Sequence, residues 1–87
     1  MIETREQLTG AFLATARDFL ATPSAITGID LDDAAVALKR FALSELKDQE
    51  LASLLARFSK LIRQLDTASV SELVADVEQR LGIQSPS

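Results

Sequence analysis

Residues 41–58, FALSELKDQELASLLARF, contain the point at which two hydrophobic patterns fall out of step. Before this point, apolar residues follow a helical spacing at Leu31, Ala34, Ala35, Leu38, Phe41 and Ala42. A continuous stripe would need apolar residues near positions 49, 50 and 53, but the chain has Gln49, Glu50 and Ser53 there. The stripe resumes one step later, at Leu51, Leu54, Leu55, Phe58, Leu61, Ile62 and Leu65. One straight helix from 31 to 65 cannot bury both faces, so we predict that the chain breaks and folds back within this stretch.

The break is predicted near Ser44. A serine hydroxyl can accept a hydrogen bond from a free backbone N–H two or three residues later, which suits Ser44 to the first position of a new helix. Glu45 and Asp48 would then lie at the positive end of the helix dipole. The sequence therefore predicts one helix over about residues 31–43 and the next over about 45–65.

The N-terminal part of the chain predicts an amphipathic helix over residues 3–21. Its apolar face consists of Leu8, Phe12, Ala16 and Phe19. Gly10 weakens a helix by about 1 kcal/mol relative to alanine, so its presence predicts the close approach of a neighbouring element. Thr22-Pro23 ends the helix because proline has no N–H and restricts the residue before it. We predict that Pro23 to Gly28 is a packed loop.

Two further helix starts are predicted from capping residues. Asp30 can cap the helix over 31–43, and the spacing of the nearby Asp32 and Asp33 lacks the alternating oxygens of a calcium loop. The sequence Ser69-Val70-Ser71-Glu72 has the form of a capping box and predicts a fourth helix over 70–82, with a frayed tail at 83–87. The predicted fold class is all-α, a small four-helix bundle that forms a single domain from residue 1 to 87.

Composition excludes several classes of function. The chain of 87 residues has no histidine and no cysteine, which removes the commonest bases, nucleophiles and metal ligands of enzymes. We therefore expect a protein without enzymatic activity. A formal net charge of −4 disfavours nucleic acid and anionic membranes as partners and favours a basic protein surface. The sequence contains neither a membrane-spanning run nor a secretory signal, so a cytoplasmic location is expected.

The central stretch resembles the middle of acyl carrier proteins. In that family an acidic segment leads to a G-x-D-S-L motif and then to an acidic helix with a Glu-Leu pair. Read without gaps, residues 31–55, LDDAAVALKRFALSELKDQELASLL, place Ala42 at the motif's glycine, Leu46 at its leucine and Glu50-Leu51 at the pair. The segment TASVSELVADVEQRLG, residues 67–82, is similar to the family's last helix.

The resemblance implies a site and a cofactor. In the ungapped register Glu45 stands at the position of the serine that carries 4′-phosphopantetheine, whereas a shift of one residue places Ser44 there. Two interpretations stay open: the prosthetic arm is attached to Ser44, or Ser44 only caps a helix. In either case the resemblance implies that Glu45, Asp48 and Glu50 are the docking charges, with Leu46 beside them.

Two functional hypotheses follow. The first is an acidic helical module, similar to an acyl or peptidyl carrier protein, that docks on partner enzymes through a basic or apolar surface. The second is an adaptor, docking domain or small chaperone that binds a partner helix, with a homodimer as one form. This second hypothesis would use surplus apolar residues that a thin core leaves exposed, such as Leu43, Leu46, Leu54 or Leu61.

Overall fold

The structure is a computed structural model that describes residues 5–82, and this part of the chain contains helices and turns but no strands. The helices are α1 (Arg5–Ala21), α2 (Ala25–Phe41), α3 (Gln49–Ala56), α4 (Phe58–Arg63) and α5 (Thr67–Leu81), and a π-helical turn (Ala42–Leu46) extends α2. The predicted all-α bundle is therefore confirmed. The predicted helix start at residue 3 and the predicted frayed tail at 83–87 lie outside the described residues.

The predicted break between the two hydrophobic stripes is present. It lies at Lys47 and Asp48, three to four residues after the predicted position at Ser44. Lys47 adopts a left-handed conformation with φ of 51°, and Asp48 caps α3 by accepting a 3.1 Å hydrogen bond from the Leu51 N–H. Ser44 lies inside the π turn, where its hydroxyl donates to the Arg40 carbonyl oxygen at 2.9 Å. The prediction that Ser44 starts a helix is wrong. Asp48 lies three residues before Leu51, the spacing at which an N-cap side chain accepts a backbone N–H, and Leu51 is where the second stripe resumes.

Helix α2 begins at Ala25, six residues earlier than the predicted residue 31. Ser24 and Thr27 form a reciprocal capping box, in which each side chain bonds to the backbone N–H of the other residue at 3.1–3.2 Å. This box satisfies the free N–H groups that the prediction assigned to Asp30. The predicted loop from Pro23 to Gly28 and the predicted cap at Asp30 are therefore both wrong.

The predicted helix over 45–65 is divided and shortened. A tight turn at Arg57, whose N–H bonds to the Leu54 carbonyl at 3.2 Å, separates α3 from α4. Helix α4 then ends at a left-handed Leu65 with φ of 52°. The N–H of Leu65 bonds to the Ile62 carbonyl at 3.0 Å and the N–H of Asp66 to the Leu61 carbonyl at 3.1 Å. These two bonds form the Schellman motif that closes many helices.

Helix α5 also starts earlier than the predicted residue 70. Asp66 is its cap and accepts hydrogen bonds from the backbone N–H of Ser69 at 3.2 Å and from the Ser69 hydroxyl at 2.8 Å. The capping box predicted at Ser69–Glu72 is wrong, because these residues already lie within the first turns of the helix. The apolar stripe predicted for this helix is buried as expected, at Val70, Leu73, Val74, Val77 and Leu81.

One hydrophobic core joins the helices. The predicted apolar face of α1 is buried at all four positions, Leu8, Phe12, Ala16 and Phe19. The ring of Phe12 meets that of Phe58 in α4 edge-to-face, with centroids 5.2 Å apart and an interplanar angle of 81°. Such aromatic pairs add about 0.5–1.5 kcal/mol beyond the burial of their area. This contact joins the middle of α1 to the start of α4 within the core.

Close helix packing depends on Gly28 and not on Gly10. A Cβ atom at Gly28 would lie 2.7 Å from the Ile62 Cγ2 atom, whereas a Cβ at Gly10 would meet nothing within 4 Å. The prediction that Gly10 marks a close approach is therefore wrong. Gly28 contacts Ile62, and the Ser59 hydroxyl donates to the Asp32 carboxylate at 2.6 Å. From Gly28 to Asp32 the residue numbers in α2 rise, while those of their partners in α4 fall from Ile62 to Ser59. Helices α2 and α4 therefore pack antiparallel.

Candidate functional site

The residues predicted as a binding site come together where α2 gives way to α3. We call residues 43–50 the joint surface. Two of its apolar side chains are exposed to solvent, Leu43 to 49% and Leu46 to 37%. Glu45 lies between them in the chain and is also exposed. The joint surface therefore combines uncovered apolar area with a carboxylate.

Asp48 holds the joint surface against the end of α5. Its carboxylate accepts two hydrogen bonds from the Arg80 guanidinium, from Nε at 2.9 Å and from Nη2 at 3.0 Å. The same carboxylate caps α3 through the Leu51 N–H. The hydrogen bonds from Arg80 and then from Leu51 keep the pKa of Asp48 below its ordinary value. Asp48 thus fixes the backbone at the break, a role that the prediction of a docking charge did not include.

Arg80 changes the charge of the predicted docking site. Its Nη1 atom lies 3.3 Å from a carboxylate oxygen of Glu50, so Arg80 faces two of the three predicted docking carboxylates. Glu45 makes no ion pair within residues 5–82. Sequence reasoning missed Arg80 because it lies 32 residues from Asp48 and fits equally well as a cation near the end of a helix.

Ser44 is exposed in the joint surface. Its hydroxyl donates to the Arg40 carbonyl one turn earlier, a common arrangement for serine within a helix. The hydroxyl oxygen is therefore reachable from solvent, although it does not start a helix. Two other apolar positions predicted as surplus, Leu54 and Leu61, are partly buried against the core.

A second apolar feature lies between α2 and α4. We call it the α2–α4 groove, and its volume is about 380 Å³. Its apolar lining comes from Ala25, Gly28, Ile29, Ile62 and Leu65. Ile29 is 61% exposed and Leu65 is 49% exposed, and the nearby Ile26 is exposed to 75%. The sequence prediction missed this groove because it assigned residues 23–28 to a loop, although two isoleucines near Gly28 were a signal.

The described residues contain no group of three acidic side chains placed to hold a metal ion. None of their helices is both long enough and apolar enough to cross a membrane. No family model, curated protein or solved structure matches the chain.

Proposed function

We propose that this chain is a non-enzymatic helical module that binds a protein partner through the joint surface. The observation that carries the proposal is the exposure of Leu43 and Leu46 beside Glu45, at a break that Asp48 and Arg80 hold in place. Exposed apolar side chains on a fixed backbone lose little conformational freedom on binding. They are therefore suited to protein recognition.

The apolar and charged side chains of the joint surface indicate which side chains a partner surface would need. Because Arg80 faces Asp48 and Glu50, these two carboxylates offer less negative potential than the sequence suggested. The leucines would supply most of the binding free energy, and Glu45 would orient a basic group of the partner. The proposed partner surface therefore has an apolar pocket with a lysine or arginine at its rim.

A capture experiment with matched variants tests this proposal. The double variant Leu43→Ser/Leu46→Ser removes the exposed apolar side chains, and Ile26→Ser removes a still more exposed apolar side chain outside the joint surface. In affinity capture from the native host followed by quantitative mass spectrometry, we expect wild type and Ile26→Ser to retain the same partner. We expect the double variant to retain about tenfold less. Equal retention of that partner by all three proteins would contradict the proposal.

A carrier form of the same module is a second candidate, supported by the exposed Ser44 hydroxyl in the joint surface. In this form a transferase would catalyse attack of the Ser44 Oγ atom on the phosphate of coenzyme A that bears the pantetheine arm. The phosphoanhydride bond breaks, a phosphodiester to Ser44 forms, adenosine 3′,5′-bisphosphate leaves and the hydroxyl proton is released to the solvent. Co-expression with a broad-specificity phosphopantetheinyl transferase should then increase the intact mass, and Ser44→Ala should prevent the increase. An unchanged wild-type mass would reject the carrier form and leave protein docking without an arm.

A further inference from the structure

We propose that the α2–α4 groove is a self-association surface and that its occupant is a second copy of this chain. In the proposed dimer, each copy inserts Ile26 into the groove of the other. This surface is distinct from the joint surface, so the two proposals stand or fall separately. The proposal rests on the shape of the groove, on the charges beside it and on the conformation of Leu65.

The groove and the side chain that fits it are on the same side of the molecule. Ile26 is three-quarters exposed, and it precedes Ile29, which lines the groove, by three residues along α2. A two-fold symmetric interface uses the same patch on both copies, so a protruding residue and a groove in one patch can pair twice. The exposed Ile29 and Leu65 would be covered in the same contact.

The charges next to the groove are self-complementary. Helix α2 carries the exposed Asp30 and Asp33, each one turn after an exposed isoleucine, and α4 carries the exposed Lys60 and Arg63. None of these four side chains makes an ion pair within residues 5–82. A two-fold axis along the groove would bring the acidic first half of α2 in one copy to the basic α4 of the other. Opposite charges would therefore meet on both sides of the apolar contact.

Leu65 provides an independent observation. It occupies the left-handed position that follows a helix, where glycine is the usual residue because it has no Cβ atom. The leucine side chain is nevertheless half-exposed and lines the groove. Leucine is unfavourable at this position for two reasons, the left-handed backbone and the uncovered apolar side chain. A contact of that side chain in the dimer would compensate for both costs.

Sedimentation equilibrium over a concentration series tests the proposed dimer. The wild-type mass should rise from one chain to two as the concentration increases. Ile26→Ser and Leu65→Gly should each move the midpoint to a concentration at least about tenfold higher. Leu43→Ser, which removes an exposed leucine from the joint surface, should leave the midpoint unchanged. A wild-type chain that stays monomeric, or a dimer unaffected by Ile26→Ser, would overturn the proposal.

A charge-exchange experiment identifies the second copy as the occupant. Lys60→Asp and Asp33→Arg should each weaken self-association. A two-fold axis along the groove keeps Asp33 of one copy near the height of Lys60 of the other, so each substitution places like charges opposite one another in the dimer. An equimolar mixture of the two variants should recover it, since both charge pairs have opposite signs in the mixed dimer. A mixture that remains monomeric, while circular dichroism shows both variants folded, would overturn the two-fold arrangement.

Discussion

The contrast between Gly10 and Gly28 shows how one residue type has two different effects on stability. Gly10 is exposed in α1 with open space around it, so it contributes only its poor helix propensity. Gly28 is buried, and its missing side chain is what permits α2 to approach Ile62. The same substitution should therefore change the free energy of unfolding in opposite directions at the two positions.

Gly28→Ala should destabilise the protein by about 1 kcal/mol. Overpacking a tight contact costs about 1–3 kcal/mol, and the better helix propensity of alanine offsets about 1 kcal/mol of this. Gly10→Ala is the matched control and should stabilise by roughly 0.5–1 kcal/mol. Urea unfolding of both variants measures these differences. Stabilisation by Gly28→Ala would show that α2 and α4 are not in close contact.

The Asp48 carboxylate should make stability depend on pH. Because its pKa in the folded state is below the ordinary value of 3.8, this carboxylate stabilises the fold above about pH 4, and the contribution is lost as the pH falls through the folded pKa. Asp48→Asn keeps a good N-cap but removes the charge. As the pH is lowered from neutral to about 2.5, the unfolding free energy of the Asp48→Asn variant should therefore decrease less than that of wild type.

Thermal unfolding over this pH range measures the effect of Asp48. Arg80→Gln is the companion variant, because the hydrogen bond from Arg80 is the largest cause of the lowered pKa. Arg80→Gln, like Asp48→Asn, should make the stability of the fold depend less on pH. Parallel pH profiles for wild type and Asp48→Asn would mean that the contact between Asp48 and Arg80 is absent in solution.

Hydrophobic periodicity predicted the helices better than it predicted their ends. The change of phase between Phe41 and Leu51 required a break, and the break is there. Its position was predicted at Ser44, with Asp48 only as a charge in the first turn, although serine and aspartate cap helices about equally well. The start of α2 was missed in the same way, since Ser24 and Thr27 satisfy the rules for a cap as well as Asp30 does.

The candidate site was predictable only where its parts are close in the sequence. Residues 43–50 form the joint surface because they are neighbours in the chain. The pairing of Asp48 with Arg80 depends on how α5 packs, and the α2–α4 groove depends on two segments that meet only in the folded chain. Amphipathic patterns indicate which faces of helices are buried, but not which helices are neighbours.

Helix ends also offer a test of the break itself. Lys47 is exposed and left-handed, a conformation that costs an L-residue about 1 kcal/mol relative to glycine. Lys47→Gly should therefore stabilise the fold by about 0.5–1 kcal/mol. Lys60→Gly, within α4, is the matched control and should destabilise by about 1 kcal/mol. Chemical denaturation at low protein concentration gives both values, and destabilisation by Lys47→Gly would contradict a left-handed residue at the break.

Both proposed binding surfaces depend on the chain folding back after α2. The joint surface forms at the reversal, and the α2–α4 groove forms because the reversal lays α4 antiparallel to α2. A straight helix from residue 33 to residue 60 would be about 40 Å long at 1.5 Å per residue. The Cα positions of the fold extend over 31 Å along its longest axis, so a straight helix of that length would not fit within it.

A distance between two spin labels tests this arrangement most directly. The chain has no cysteine, so Asp33→Cys/Lys60→Cys provides two unique labelling sites, and dilution with unlabelled chains excludes distances between copies. Because Asp32 and Ser59 are hydrogen-bonded, the labels should lie within about 20 Å of each other, including the reach of their side chains. A distance near 40 Å would show one continuous helix and would contradict the fold and both binding surfaces.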